Sequence, residues 1–202
     1  MKLSSVVVRW GLGASLVVVG AGGCASSRQQ VAEEQESRPS QSLAAYYPLA
    51  VGNRWTYRVN GRADRTVDVE VLKEEDGYFH DNQGGQLSVD GFGVRDRKRY
   101  LLRGPLAEGN QWTNVVSVSS TERYRILQAG VPCEAPAGSF NHCVRVEARN
   151  RVDAQTTLVN ALTFAEGVGL VRIEVSAEKS NGERMPQTWL ELASFKLQQP
   201  GR

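Results

Sequence analysis

The side chains with reactive chemistry are few, because the chain contains only three Cys and two His among 202 residues. Two of the cysteines, Cys133 and Cys143, lie close together across the connection 132–141. In an oxidising compartment an even pair of this kind forms a disulfide, which we predict here. A metal site that added His80 and His142 is the alternative, but the spacing of these residues matches no familiar zinc pattern. We therefore expect no metal.

The sequence contains no recognisable set of catalytic residues. No G-x-S-x-G segment presents a serine nucleophile. Gly91-Phe92-Gly93-Val94 lacks the full phosphate-cradling glycine pattern and its strand–helix context. A paired-acid glycosidase site built from distant carboxylates stays open, without positive support. We expect a protein that is not an enzyme and that holds no cofactor.

Residues 1–23 have the three parts of a secretory signal. Lys2 and Arg9 supply positive charge, an apolar stretch extends to Val19, and small residues occupy positions 21–23. The apolar stretch is too short and too interrupted for a transmembrane helix, which needs about 20 apolar residues. We therefore predict that residues 1–23 are a signal peptide.

The third cysteine, Cys24, directly follows Ala21-Gly22-Gly23. This arrangement resembles the lipobox of bacterial lipoproteins, although Ala21 stands where Leu is favoured. The resemblance implies that Cys24 carries acyl chains such as palmitate, and two or three of them hold a protein on a membrane at about 0.8 kcal/mol per buried CH₂. Ala25 rather than Asp follows Cys24, which implies the outer membrane, facing the periplasm. An ordinary secreted protein with an incidental Cys24 is the alternative.

The charge balance identifies the lipid as the main membrane anchor. Lys2 and Arg9 are the only charged residues before Cys24, so the remaining chain carries 22 basic and 22 acidic residues. A balanced chain argues against a nucleic-acid partner.

Residues 24–45 are rich in Glu, Gln and Ser and poor in large apolar side chains, so they cannot offset their ordering entropy. We predict an acylated cysteine and a flexible tether over 24–45.

From residue 46 onward the pattern is that of β-strands. Val67, Val69 and Val71 alternate with polar residues, and the same period of two recurs around residues 144–148 and 171–175. Turn pairs that permit positive φ separate the strands, namely Asn60-Gly61, Asp76-Gly77, Asp90-Gly91 and Asn181-Gly182. The sequence predicts one all-β globular domain over 46–198, as a single antiparallel curved sheet, an open barrel or a sandwich.

One nine-residue segment occurs twice in this domain. Residues 48–56 (PLAVGNRWT) and 105–113 (PLAEGNQWT) agree at seven of nine positions. In each copy a turn leads to a Trp at the start of a strand. Trp55 and Trp112 are therefore candidates for an aromatic-lined ligand mouth, and the alternative is a turn-into-strand device used twice to cover the core.

Several segments resemble a broad group of mostly uncharacterised bacterial secreted proteins and lipoproteins. Residues 46–57 resemble that group's "YYPL…GNxWxY" opening. Residues 136–144 resemble its "PAGTF…C.RV" segment, and 164–171 its "YAPGVGLV" segment, with Glu166 where Pro is usual. The resemblance implies a β-rich fold and a location in the cell envelope. It implies no catalytic residues.

These observations predict a membrane-anchored envelope lipoprotein whose β domain binds a partner protein or an apolar ligand. A lipid carrier or acceptor, which shelters acyl chains against a concave sheet, is the main alternative. A hydrolase with an unrecognised site is a further one, and it requires a polar pocket that contains His80 or His142.

The lipid anchor can be tested by metabolic labelling with a palmitate analogue. We expect label on the parent chain and none on Cys24→Ala, because the thiol of Cys24 is the acylated atom. Equal labelling of the two chains would contradict the lipoprotein prediction.

Overall fold

The computed structural model of the protein describes residues 42–198, so the predicted signal peptide, Cys24 and most of the predicted tether lie outside the described residues. Twelve antiparallel strands form one nearly closed, barrel-shaped sheet, which confirms the all-β prediction. The strands are β1 (Arg54–Val59), β2 (Arg62–Glu75), β3 (Tyr78–Asp81), β4 (Gln86–Val89), β5 (Gly93–Arg95), β6 (Tyr100–Arg103), β7 (Gln111–Ser117), β8 (Ser120–Ala135), β9 (Gly138–Arg151), β10 (Thr156–Ala165), β11 (Gly169–Lys179) and β12 (Arg184–Lys196).

The sheet consists of two meanders, β1–β6 and β7–β12, which are joined by the pairing of the first strand with the last. Its order is β6-β5-β4-β3-β2-β1-β12-β11-β10-β9-β8-β7, so every strand pairs with its sequence neighbour except where β1 pairs with β12. In that pair Trp55 lies opposite Phe195 and Val59 opposite Leu190. The first and last strands of the domain therefore lie in the middle of the sheet, and β6 and β7 are its two edges.

The predicted turn pairs lie at strand connections. Asn60 and Gly61 have φ of 52° and 72°, and Asp76 and Gly77 have 54° and 73°. Two successive positive φ values are the signature of a type I′ turn, whose twist matches that of the flanking strands. These turns fix the β1–β2 and β2–β3 hairpins and so determine which face each side chain occupies.

A 3₁₀ helix, Leu43–Tyr46, precedes β1 and begins three residues before the domain boundary predicted from the sequence. Its Ala45 carbonyl accepts a hydrogen bond from Gly167 N–H at 2.7 Å, and the Tyr46 side chain is fully buried. Burial of that ring fixes the preceding turn against the β10–β11 connection. We call this end of the sheet, where residue 42 enters, the tether end, and the opposite end the far end.

The repeated segment folds in the same way in both copies. Gly52 and Gly109 have φ of 88° and 86°. The backbone N–H of Asn53 donates to the Ala50 carbonyl, and the Asn53 carbonyl accepts from Val71 N–H. Asn110 makes the equivalent bonds with Ala107 and Ile126. In each copy the Asn side chain donates to the carbonyl of the first Pro, at 2.6 and 2.9 Å. The repeated segment is thus a turn that starts strands β1 and β7.

Side chains connect the two edge strands, which exchange no ladder of their own. Asn114 of β7 accepts from the backbone N–H of Tyr100 and donates to the Tyr100 carbonyl, both at 3.1 Å. Trp112 Nε1–H donates to the same carbonyl at 2.8 Å. The amide of Asn114 thereby takes the place of a peptide unit in a strand ladder, and it is almost fully buried. This contact satisfies edge groups that would otherwise be open to pairing with another chain.

The structure contains the disulfide between Cys133 and Cys143, whose Cα atoms are 6.0 Å apart. The two residues lie on the adjacent strands β8 and β9, near the hairpin at the tether end. Cys143 is buried in the core. The disulfide therefore fixes the end of the longest hairpin of the sheet.

The edge contact predicts a measurable loss of stability in Asn114→Ala. We expect the free energy of unfolding to fall by about 1–3 kcal/mol, because the backbone N–H of half-buried Tyr100 loses its acceptor and its carbonyl keeps only Trp112 as a donor. Gln111→Ala, an exposed change on the same strand, should stay within about 0.5 kcal/mol of the parent. Urea unfolding measures both, and equal stabilities of the two variants would contradict the assigned role of Asn114.

The disulfide predicts that the double variant Cys133→Ala/Cys143→Ala is less stable than the parent by about 2–3 kcal/mol, the chain-entropy value for a loop of this size. Reductant should lower the stability of the parent and leave the double variant unchanged. A parent chain that is insensitive to reductant would contradict this prediction.

Candidate functional site

Trp55 and Trp112, the candidate ligand-mouth residues, are buried in the core, at 1% and 6% exposure. Trp55 Nε1–H donates to the Val168 carbonyl at 2.7 Å, and Trp112 stacks on Tyr124 with ring centroids 5.4 Å apart. Each indole N–H therefore has a backbone acceptor, and each ring packs on other side chains. This placement favours the alternative reading, in which both tryptophans cover the core.

The two histidines are not brought together. His142 Nδ1 lies 2.9 Å from Glu166 Oε2 on the surface at the tether end, whereas His80 lies on β3 with its Nε2 3.9 Å from Glu75. Cys133 and Cys143 are committed to the disulfide. Among residues 42–198 no group of three or more His, Cys, Asp or Glu side chains is placed to hold a metal ion.

Large aromatic and aliphatic side chains fill the interior near the tether end, including Tyr46, Trp55, Phe164 and Leu192. Burial raises the pKa of Tyr57 and Tyr47, so both phenols stay neutral. The groove described next lies instead on the outer face of the sheet.

Two neighbouring cavities form one groove on the outer face of β9–β12. Their volumes are about 390 Å³ and 310 Å³, and Arg145 of β9 and Arg172 of β11 line both. Val159, Ala161 and Thr163 of β10 lie between those strands and form the floor. We call this feature the β10 groove. It spans about 14 Å, since the four steps along the strand from Val159 to Thr163 rise about 3.4 Å each.

The strand register explains why a groove forms here. Thr163 pairs with both Arg145 and Arg172, and Ala161 pairs with Glu147 on one side and Glu174 on the other. Side chains in register point to the same face of a sheet. A strand of short side chains between two strands of long charged ones leaves a trough with an apolar floor.

Ion pairs hold the charged walls in place. Arg145 binds Glu174 at 2.7 Å, and Arg172 lies 3.2 Å from Glu191. At the far end of the groove, hydrogen bonds from Arg149 and Arg184 lower the pKa of the Glu178 carboxyl. That carboxylate therefore stays ionised at neutral pH and holds Arg184, which lines the groove, by an ion pair.

Two buried donors in these walls have no acceptor. Arg145 Nε and Arg172 Nε make no hydrogen bond within the described part of the chain. Glu174 Oε1 lies 3.4 Å from Arg172 Nε but does not accept a hydrogen bond from it. A buried donor without a partner is unfavourable by about 1–3 kcal/mol. An acceptor oxygen would remove that penalty once a small rotation of the guanidinium groups turned these shielded atoms toward the groove.

Trp189 of β12 forms the apolar wall together with Pro186. Its backbone N–H donates to Asn60 Oδ1 at 2.8 Å, and its carbonyl accepts from Asn60 N–H at 2.9 Å. The β1–β2 turn therefore positions this half-buried ring. Sequence reasoning missed Trp189, although the alternation of residues 188–192 places it on the face opposite Leu190 and Leu192.

The described residues form an all-β domain on one nearly closed antiparallel sheet. No family model matches the chain, and no curated protein matches it either. Two solved structures are similar. The first is a candidate exported protein with a YmcC-like fold from Bacteroides fragilis, at 15% identity and a TM-score of 0.42, covering 73% of this chain and 97% of its own. The second is a candidate lipoprotein from Parabacteroides distasonis, at 12% identity and a TM-score of 0.39, covering 75% and 98%.

At these scores the two structures assign neither fold nor function to this chain. The fold described above and the function proposed below are argued from the chain's own residues. Within residues 42–198 no helix is long and apolar enough to cross a membrane.

Proposed function

We propose that this protein is a lipid-anchored, non-enzymatic protein of the bacterial cell envelope, held at the outer membrane through Cys24 and facing the periplasm. Its β10 groove binds an extended segment of a partner protein. The signal and lipobox pattern of residues 1–24 support the location. The groove supports the binding role.

The observation that carries this proposal is the pair of Arg Nε donors without acceptors above an apolar floor. The groove combines an apolar floor and the Trp189 side with charged walls, and its larger cavity, at about 390 Å³, is within the usual size range of ligand-binding clefts. A bound segment that supplied carbonyl oxygens to Arg145 and Arg172 would satisfy both donors.

A polypeptide segment fits this groove better than a free lipid does. An extended peptide offers a carbonyl oxygen at every residue and turns every second side chain to the same face, so a segment with apolar residues at alternate positions matches two donors beside the Trp189 wall. A groove of about 14 Å accommodates roughly four such residues. Lipid carriage remains the alternative, and it would place acyl chains rather than peptide in the groove.

Site-specific photo-crosslinking in native cells tests the proposal. We expect a photoreactive residue at Ala161, on the groove floor, to give a discrete protein adduct. The same residue at Leu72, an exposed apolar position on β2, is the matched control and should give none. Trp189→Ala should reduce the Ala161 adduct at least fivefold, because it removes the apolar wall.

Three results would contradict the proposal. They are equal adducts at Ala161 and Leu72, an Ala161 adduct that Trp189→Ala leaves unchanged, and an adduct that consists of lipid. The last result would support the carrier alternative.

A further inference from the structure

A further cavity, separate from the β10 groove and of about 610 Å³, lies at the far end of the outer face, where β8, β9 and β10 begin or end. Three arginines line it, Arg123, Arg149 and Arg151, together with the hydroxyl-bearing side chains of Thr121 and Thr157. It has no role in the peptide-binding function proposed above. We call it the arginine cavity.

The strand register places like charges opposite each other in this cavity. Arg123 of β8 pairs directly with Arg149 of β9, and like charges at directly opposite positions destabilise a sheet. The neighbouring pair on the same two strands, Arg125 and Glu147, has opposite charges. The Arg123–Arg149 pair therefore departs from the pattern of its surroundings, and such departures occur where a site serves function.

The protein neutralises these arginines only in part. Arg149 is paired with Glu147 and Glu178. Arg151 donates to two backbone carbonyl oxygens, those of Asp153 and Ala154, each at 3.1 Å, and these carry no net charge. Within residues 42–198, the Arg123 side chain has no hydrogen-bond or ion-pair partner, although its backbone takes part in the ladders with β7 and β9.

Asp153 also lines the cavity, but its carboxylate is engaged by its own turn. Its Oδ1 accepts from the backbone N–H groups of Gln155 and Thr156 at 2.7 and 2.8 Å. Arg151 reaches the backbone oxygen of Asp153 and not the carboxylate. The lining thus carries three arginines against one carboxylate, which also interacts electrostatically with Arg151, and the Arg123 guanidinium keeps its donors free.

We propose that the arginine cavity binds a phosphate group. Guanidinium groups match phosphate oxygens with parallel N–H donors. A phosphate dianion offers more acceptor oxygens and more negative charge to Arg123, Arg151 and the threonine hydroxyls than a planar carboxylate does. The volume of about 610 Å³ accommodates a phosphate together with the sugar or glycerol that carries it.

The position of the cavity bears on the source of the phosphate. Arg123 lies near the start of β8, which ends at Ala135 at the tether end. Twelve strand residues rise about 40 Å. The cavity therefore lies far from the point at which residue 42 enters the domain, and it suits a phosphate that arrives from solvent or from an opposing surface.

Isothermal titration of the full chain in a neutral detergent tests this proposal, with glycerol 3-phosphate as the soluble probe and mixed micelles containing phosphatidic acid as the lipid probe. We expect saturable binding with one site per chain. Arg123→Gln should weaken binding at least tenfold, and Thr121→Val should weaken it about threefold. Arg65→Gln removes the same charge from an exposed position on β2 and should leave binding unchanged.

A second readout separates a binding role from a structural one. Without ligand, Arg123→Gln should melt at the same temperature as the parent or higher, because the like-charge pair is removed. Phosphate, at an ionic strength matched with chloride, should raise the melting temperature of the parent and not that of Arg123→Gln.

The two probes distinguish the sources, since binding of glycerol 3-phosphate indicates a soluble ligand and binding of the micelles alone indicates a lipid headgroup. No saturable binding of either probe up to 10 mM, roughly the limit of a specific site, would overturn the proposal. Equal affinities of Arg123→Gln and Arg65→Gln would overturn it as well.

Discussion

The pairing of β1 with β12 is the contact on which the rest of this structure depends. The ladder runs from Arg54 opposite Lys196 to Val59 opposite Leu190, and it joins the two ends of the domain. Every other ladder in the sheet joins neighbours in sequence. Without the β1–β12 ladder, residues 54–103 and 111–196 would be two separate meanders, each with one exposed edge more than it has now. Closing so long a loop costs entropy that only the shared core can offset.

The pairing of β1 with β12 also determines which strands form the two edges of the sheet. Because β1 and β12 occupy the centre, β6 and β7 are the edge strands, each paired on one side only, and the barrel brings them close enough for side chains to connect them. Trp112 and Asn114 both act on Tyr100, so one short stretch of β7 satisfies the backbone of the opposite edge. The repeated turn that starts β7 also starts β1. The same local device thus serves the central ladder and the edge contact.

The outer face carries both of the proposed sites. In each, the strand register determines which side chains lie next to one another. Along β10, short side chains lie between the long side chains of β9 and β11, which produces a trough. Farther along β9, Arg149 lies directly opposite Arg123 of β8, which places two positive charges side by side. In the trough, ion pairs balance the arginines, and the proposed ligand is therefore an uncharged acceptor. In the arginine cavity three arginines face one carboxylate, and the proposed ligand is therefore an anion.

The sequence by itself determined the strands, the turns and the disulfide. Period-two alternation, the Asn-Gly and Asp-Gly pairs and the even cysteine pair are local signals, and each acts within a few residues of where it is read. It also determined that residues 48–56 and 105–113 share a conformation. The signals of residues 1–24 are local too, and they lie outside the residues that the structure describes.

Only the tertiary structure decided where these elements meet. Alternation shows which side chains share a face of one strand, but it does not show which residues of a distant strand lie beside them. The burial of Trp55 and Trp112, the separation of His80 from His142, and the groove walls formed by Arg145, Arg172 and Trp189 all follow from register between strands. Register across β1 and β12 depends on the closure of the whole sheet. No local pattern specifies it, because each strand offers several partners and only the shared core selects among them.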